Sequence, residues 1–154
     1  MERYTKMDYE LLLKSYTGLV EKENDFIATL AYTSAFIFNM VKGLNWAGFY
    51  LSSGEELVLG PFQGKPACTR IKYGRGVCGT AVSKAVTMVV DNVHEFEGHI
   101  ACDGASNSEI VVPLYKNGVI IGVLDVDSPE FSRFGNDEKE FFERIVKVIE
   151  EKIQ

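Results

Sequence analysis

The dipeptide Asn117-Gly118, set between the apolar runs Ile110 to Leu114 and Val119 to Val126, constrains this chain more than any other local feature. A two-residue turn with both residues at positive φ matches the right-handed twist of the strands it joins, and Asn-Gly meets that demand at little steric cost. The spacing predicts an antiparallel hairpin. Nearly every side chain of both runs is apolar, the pattern of strands covered on both faces, so the hairpin is expected at the centre of a sheet.

Upstream the periodicity is first helical. Tyr9, Leu12, Leu13, Tyr16, Leu19 and Val20 fall on one face, with Thr5 or Asp8 as cap and an end near Lys22. Asn24 or Asp25 caps a second helix whose stripe is Ile27, Leu30, Ala31, Ser34, Ile37 and Val41, stopped by Gly43. The period then changes to two. Trp46 to Leu51 and Glu56 to Gly60 flank the turn Ser52-Ser53-Gly54-Glu55 and read as a second hairpin. Residues 61–76 read as irregular, followed by a short helix over about 77–83, a strand over about 87–90 and a long polar loop over 91–108. A helix over about 136–153 closes the chain, with Phe142, Ile145, Val146, Ile149 and Ile153 facing inward. This order predicts one α+β domain over residues 1–154, an antiparallel sheet with helices packed on it.

Composition excludes several classes. A chain of 154 residues, 46% hydrophobic and 25% charged, has the make-up of one ordinary globular core. The net charge of -6, with no basic run, argues against nucleic acid as a partner. No apolar run approaches membrane-spanning length, and the first residues lack a signal-peptide pattern, so a cytoplasmic protein without a membrane partner is expected.

Three groups of residues carry chemistry. Cys68, Cys78 and Cys102 cannot all pair within one chain, which leaves inert core residues, metal ligands or redox thiols as readings. All three sit in polar, Gly-rich surroundings. Cys78 falls near the start of the short helix, where the helix dipole lowers a thiol pKa, and Cys102 lies in the long loop, which can carry it to a partner thiol. Asp125 and Asp127 form the second group: two apart on a strand, they point to the same side. Hairpin geometry brings Glu109 to the same end. Taken singly, each acid reads as a solvated strand end; three together suggest a site for an ammonium group or a proton donor. Trp46 and Tyr50, four apart on one strand face, read either as core aromatics or as one wall of a pocket.

Three other motifs are weaker. Gly74-Arg75-Gly76-Val77-Cys78-Gly79 matches G-x-G-x-x-G, but the preceding Arg70-Ile71-Lys72-Tyr73 is too polar for the buried parallel strand of a dinucleotide fold. Cys68, Cys78, His99 and Cys102 lack the Cys-x-x-Cys spacing of structural zinc, so no metal is expected. His94 and His99 read as solvated loop residues.

The segments Cys68-Thr69-Arg70-Ile71, Gly74 to Ala81, His99-Ile100-Ala101-Cys102-Asp103, Ala105 to Leu114 and Gly122 to Ser128 together resemble the free methionine-(R)-sulfoxide reductases, which are single GAF-domain enzymes. The resemblance runs from about Tyr9 to the C-terminus and includes Asn45 to Tyr50. It implies a GAF-like α+β fold with a central antiparallel sheet of about six strands flanked by N- and C-terminal helices. It also implies reduction of the R epimer of free methionine sulfoxide through a cysteine sulfenic acid and a disulfide, recycled by thioredoxin or another dithiol, with no bound cofactor. In that family's pattern Cys102 resembles the attacking cysteine, Cys68 its resolving partner and Cys78 a second one. Glu109, Asp125 and Asp127 would hold the substrate's ammonium group and serve the sulfoxide oxygen, while Trp46 and Tyr50 would cup its methyl end. A homodimer through the terminal helices is a further expectation. The competing expectation is a stand-alone GAF sensor that binds a small ligand without catalysis.

Overall fold

The computed structural model describes residues 4–99 and 104–153. Two helices lead, α1 (Lys6–Val20) and α2 (Phe26–Met40). Thr5 caps α1 reciprocally: its hydroxyl accepts the Asp8 amide at 3.2 Å while the Asp8 carboxylate accepts the Thr5 amide at 2.6 Å. Asp25 caps α2 by accepting the Ala28 amide at 2.7 Å.

The rest of the chain builds one sheet. Strands β1 (Trp46–Ser53), β2 (Glu56–Gly64) and β3 (Arg70–Lys72) precede helix α3 (Gly76–Lys84) and strand β4 (Met88–Val90). A 3-10 turn over Val93–Glu95 leads towards β5 (Ser108–Lys116), β6 (Val119–Ser128) and helix α4 (Asn136–Lys152). The six strands run in the order β3-β2-β1-β6-β5-β4, with every neighbouring pair antiparallel. The Asn-Gly hairpin is present, with Asn117 and Gly118 both at positive φ and Lys116 opposite Val119. β6 is central, next to β1, whereas β5 lies one place from the edge under the three-residue β4. Both faces of β5 are nevertheless covered, which is why its sequence resembles that of a central strand.

Each face of the sheet has its own core. On one side Ala47, Phe49, Ile110, Val112, Leu124 and Val126 meet Leu30 and Ile37 of α2, Tyr16 of α1 and Phe142 and Ile145 of α4. On the other, Trp46, Tyr50, Val111 and Val123 pack with Leu57, Ile71 and Val77, Cys78 and Ala81 of α3. Alternation along each strand sorts these residues between the two sides. Among the described residues no helix is long and apolar enough to cross a membrane.

Several readings of the sequence need correction, and Leu19, placed on the apolar face of α1, is 57% exposed. The second strand does not stop at Gly60 but runs through Pro61 to Gly64, and residues 70–72 form an edge strand inside the stretch read as irregular. The register between β1 and β2 shifts at Gly48/Tyr50, and an irregularity of that kind is where a sheet tolerates proline. In α2 the buried face is turned from the expected stripe. Ile27 and Ala31 are exposed, whereas Thr29 and Thr33, outside that stripe, are buried alongside Leu30, Ser34 and Ile37 within it; the hydroxyls of Thr29, Thr33 and Ser34 bond to carbonyls four residues back at 2.7 to 2.8 Å.

Candidate active site

The register across β1, β6 and β5 sets side chains in rows. Trp46, Asp127 and Glu109 are cross-strand partners in one row, and Gly48, Asp125 and Val111 in the next. All point to the side covered by α3. Adjacent members of a row are separated by one strand spacing, about 4.8 Å, so an aromatic wall and three acids are fixed by backbone pairing. The cleft they line encloses about 500 Å³ including its mouth, and Val77, Cys78 and Ile71 line it too.

The aromatic wall is stacked. The Trp46 ring lies 5.9 Å from that of Tyr50 at 22° and 5.2 Å from that of Phe62 at 15°. Their polar tips tie down the loop after β2: Trp46 Nε1 donates to the Lys65 carbonyl at 3.1 Å and the Tyr50 hydroxyl donates to the Cys68 carbonyl at 2.9 Å. Burial first, then the neighbouring Asp125, Cys78, Asp127 and Glu109, raises the Tyr50 pKa, so the phenol stays a donor. Gly48 makes the stack fit, since a Cβ there would collide with the Cβ of Phe62.

The acids are not solvated strand ends. Glu109, Asp125 and Asp127 are only 7%, 6% and 8% exposed. Burial pushes the Glu109 carboxyl well above its usual range, and the neighbouring Asp125 and Asp127 push it further. Asp125 is raised by burial as well, an effect opposed by hydrogen bonds with Glu109, Cys78 and Asp127. Its Oδ1 has no hydrogen-bond partner among the described residues. A cluster of this kind holds at least one proton at neutral pH, and it presents both a proton donor and a negative wall to the cleft.

Cys78 reverses an expectation. It lies in the first turn of α3 as predicted, yet its thiol is pushed well up, by burial first and then by Asp125, Glu109 and Asp127. Desolvation beside three acids outweighs the helix dipole. Cys78 is a free, buried thiol, whereas Cys68 is disulfide-bonded and half-buried, outside the residues that line the cleft. Cys102 lies outside the described residues. Of the set Cys68, Cys78, His99 and Cys102, the Cys68 sulfur is committed to a disulfide.

The structure thus gathers Trp46, Tyr50, Cys78, Glu109, Asp125 and Asp127 around one cleft. Arg75, His99 and Ser106 also line it and were not identified from the sequence as site residues. His99 is half-buried rather than solvated, and burial, then the charge of His94, lowers its pKa and keeps it neutral. Ser106 accepts a bond from Asn45 Nδ2 at 3.0 Å. None of the three carries a periodic signal, because all sit in loops or at a helix cap.

A GAF domain model matches residues 5–153. The chain is 51% identical to the free methionine-R-sulfoxide reductase of Escherichia coli over 142 residues, covering 92% of this chain and 86% of that protein. The reduced form of the fRMsr of Staphylococcus aureus superposes with a TM-score of 0.92 at 53% identity, covering 95% of each chain. The free methionine-R-sulfoxide reductase of Neisseria meningitidis in complex with its substrate superposes with a TM-score of 0.94 at 41% identity, covering 99% of this chain and 92% of that one. Likeness of this extent spans both cores and the cleft between β1, β6 and α3, so the chain belongs to the GAF-domain family of free methionine-R-sulfoxide reductases.

Proposed function

We propose that this protein reduces free methionine-(R)-sulfoxide to methionine, with Cys102 as nucleophile, Cys68 as resolving thiol and thioredoxin or another dithiol as reductant. The observation that carries the reading is the buried cluster Glu109, Asp125 and Asp127 facing the Trp46–Tyr50 stack. A sulfoxide cannot lose its oxygen as a bare oxide ion, so a carboxylic acid that stays protonated at neutral pH supplies what the reaction needs. Glu109 fits that role. The remaining negative charge suits the ammonium group of a free amino acid, which a peptide nitrogen lacks. Trp46 and Tyr50 offer the apolar face for the methyl and thioether end.

In this scheme the Cys102 thiolate attacks the sulfoxide sulfur while the Glu109 proton passes to the oxygen. The oxygen moves to Cys102 as a sulfenic acid, methionine leaves with its sulfur reduced by two electrons, and Cys102 is oxidised by two. The Cys68 sulfur then displaces the sulfenic oxygen as water and a disulfide forms. A disulfide-bonded Cys68 beside a free Cys78 supports Cys68 as the resolving thiol. Its carbonyl is held by Tyr50, which couples the redox loop to the pocket wall. An external dithiol restores the thiols.

Single-turnover chemistry without reductant tests this. Reduced protein incubated with the R epimer should release one equivalent of methionine and lose two of its three thiols. Cys102→Ser should release none, while Cys68→Ser should complete one turnover and fail to recycle with thioredoxin. Methionine release by Cys102→Ser would overturn the assignment, and an unchanged thiol count in the wild type would favour a ligand sensor.

A further inference from the structure

Beneath the cleft, one candidate ligand atom from each of Cys78, Glu109 and Asp125 lies within 4.8 Å of the others, and all three residues are buried. No ion pair among the described residues reaches Glu109 or Asp125. Asp125 Oδ1 adds a second observation: among the described residues it is a buried acceptor without a hydrogen-bond partner, on a side chain 6% exposed. From this geometry we infer that Cys78, Glu109 and Asp125 form an inhibitory site for a thiophilic divalent cation such as zinc, overlapping the place proposed for the substrate's ammonium group.

The donor set selects the ion. One thiolate with two carboxylates suits zinc, whereas magnesium and calcium take oxygen ligands alone. Tetrahedral zinc with bonds of about 2.0 to 2.3 Å sets its ligands about 3.5 Å apart, so the three atoms need to draw in by less than about 1.5 Å. All three residues line the cleft, which gives water access to a fourth position. Binding displaces the thiol proton to solvent and neutralises a site that otherwise crowds acids against sulfur. Cys68 and its disulfide take no part, so the site exists in oxidised protein as well as reduced. Only the inhibitory part of this inference rests on the reductase reading; the metal site stands without it.

Equilibrium dialysis of the oxidised, full-length protein against zinc chloride, with cobalt(II) as spectroscopic probe, tests both parts. The expected result is one metal per chain, a thiolate-to-cobalt charge-transfer band, and an affinity lowered about 100-fold in Cys78→Ala and in Asp125→Asn. Cys68→Ser should bind zinc as the wild type does. Absence of binding in wild-type protein, retention in either site variant, or loss in Cys68→Ser would each overturn the site. Asp125→Asn decides the matter should Cys78→Ala fail to fold. Methionine sulfoxide is expected to weaken zinc binding; metal that binds through Cys78 but is indifferent to methionine sulfoxide would overturn the overlap alone. Failure of the reductase reading would appear separately, as absent methionine release from metal-free protein.

Discussion

Glu109 on β5 and Asp127 on β6 are direct cross-strand partners, so two buried carboxyl groups occupy facing positions where like charges destabilise a sheet. The pairing is tolerable when a proton is retained. That requirement links the stability of the fold to the chemistry of the cleft.

The first prediction concerns Glu109. Its folded pKa lies above the ordinary 4.5, so between that value and the raised one the native state keeps a proton that the unfolded chain has lost. Stability is therefore full below the ordinary value and falls as pH rises through the raised one, by at most about 1.4 kcal/mol per pH unit for this group. Glu109→Gln should flatten that slope in urea unfolding followed from about pH 5 to pH 8, and should lower single-turnover methionine formation about 100-fold or more. A variant with the wild-type slope and rate would remove Glu109 from the proton-donor role.

The aromatic wall gives a second prediction. Gly48→Ala places a Cβ against the Cβ of Phe62 and 2.9 Å from the Pro61 carbonyl. It should cost about 1–3 kcal/mol in denaturant unfolding by forcing β2 away from β1. Gly18→Ala is the contrasting case: with nothing within 4 Å of the added methyl group in the exposed α1, it should stabilise by up to about 1 kcal/mol.

Behind the sheet, Arg133 supplies a third. It is 4% exposed, lies 3.5 Å from the Glu138 carboxylate and donates to the Lys42 carbonyl at 2.8 Å and the Tyr9 hydroxyl at 3.3 Å. One guanidinium thus joins α1, the loop after α2 and the start of α4. Glu138→Ala leaves that charge buried without its carboxylate and should cost about 3–5 kcal/mol, read as a shift in unfolding midpoint at constant slope.

Much of this architecture was written in local pattern. Asn117-Gly118 set the β5–β6 turn, Thr5 and Asp25 the helix starts, and the alternation along Trp46 to Tyr50 and Asp125 to Asp127 placed aromatics and acids on one side. Short-range stereochemistry governs such features, so a sequence reports them directly. The continuation of β2 through Pro61 was less legible, because proline is admitted there by a shift in pairing with β1 that no local pattern announces. Arg75, His99 and Ser106 joined the cleft through loop and cap positions that have no periodicity to read.

By itself, then, the sequence determined most of the elements and their order, and which side chains of β1, β5 and β6 share a face, but not the edge strand β3 or the full length of β2. The tertiary structure decided protonation. The covering of Glu109 and Asp125 by α3 and neighbouring strands raises the hold of both carboxyl groups on a proton above that of an ordinary carboxylate in water, and it keeps Cys78 a thiol despite its place at a helix start. Desolvation and charge crowding depend on residues distant in the chain, so they exist only once the fold has closed.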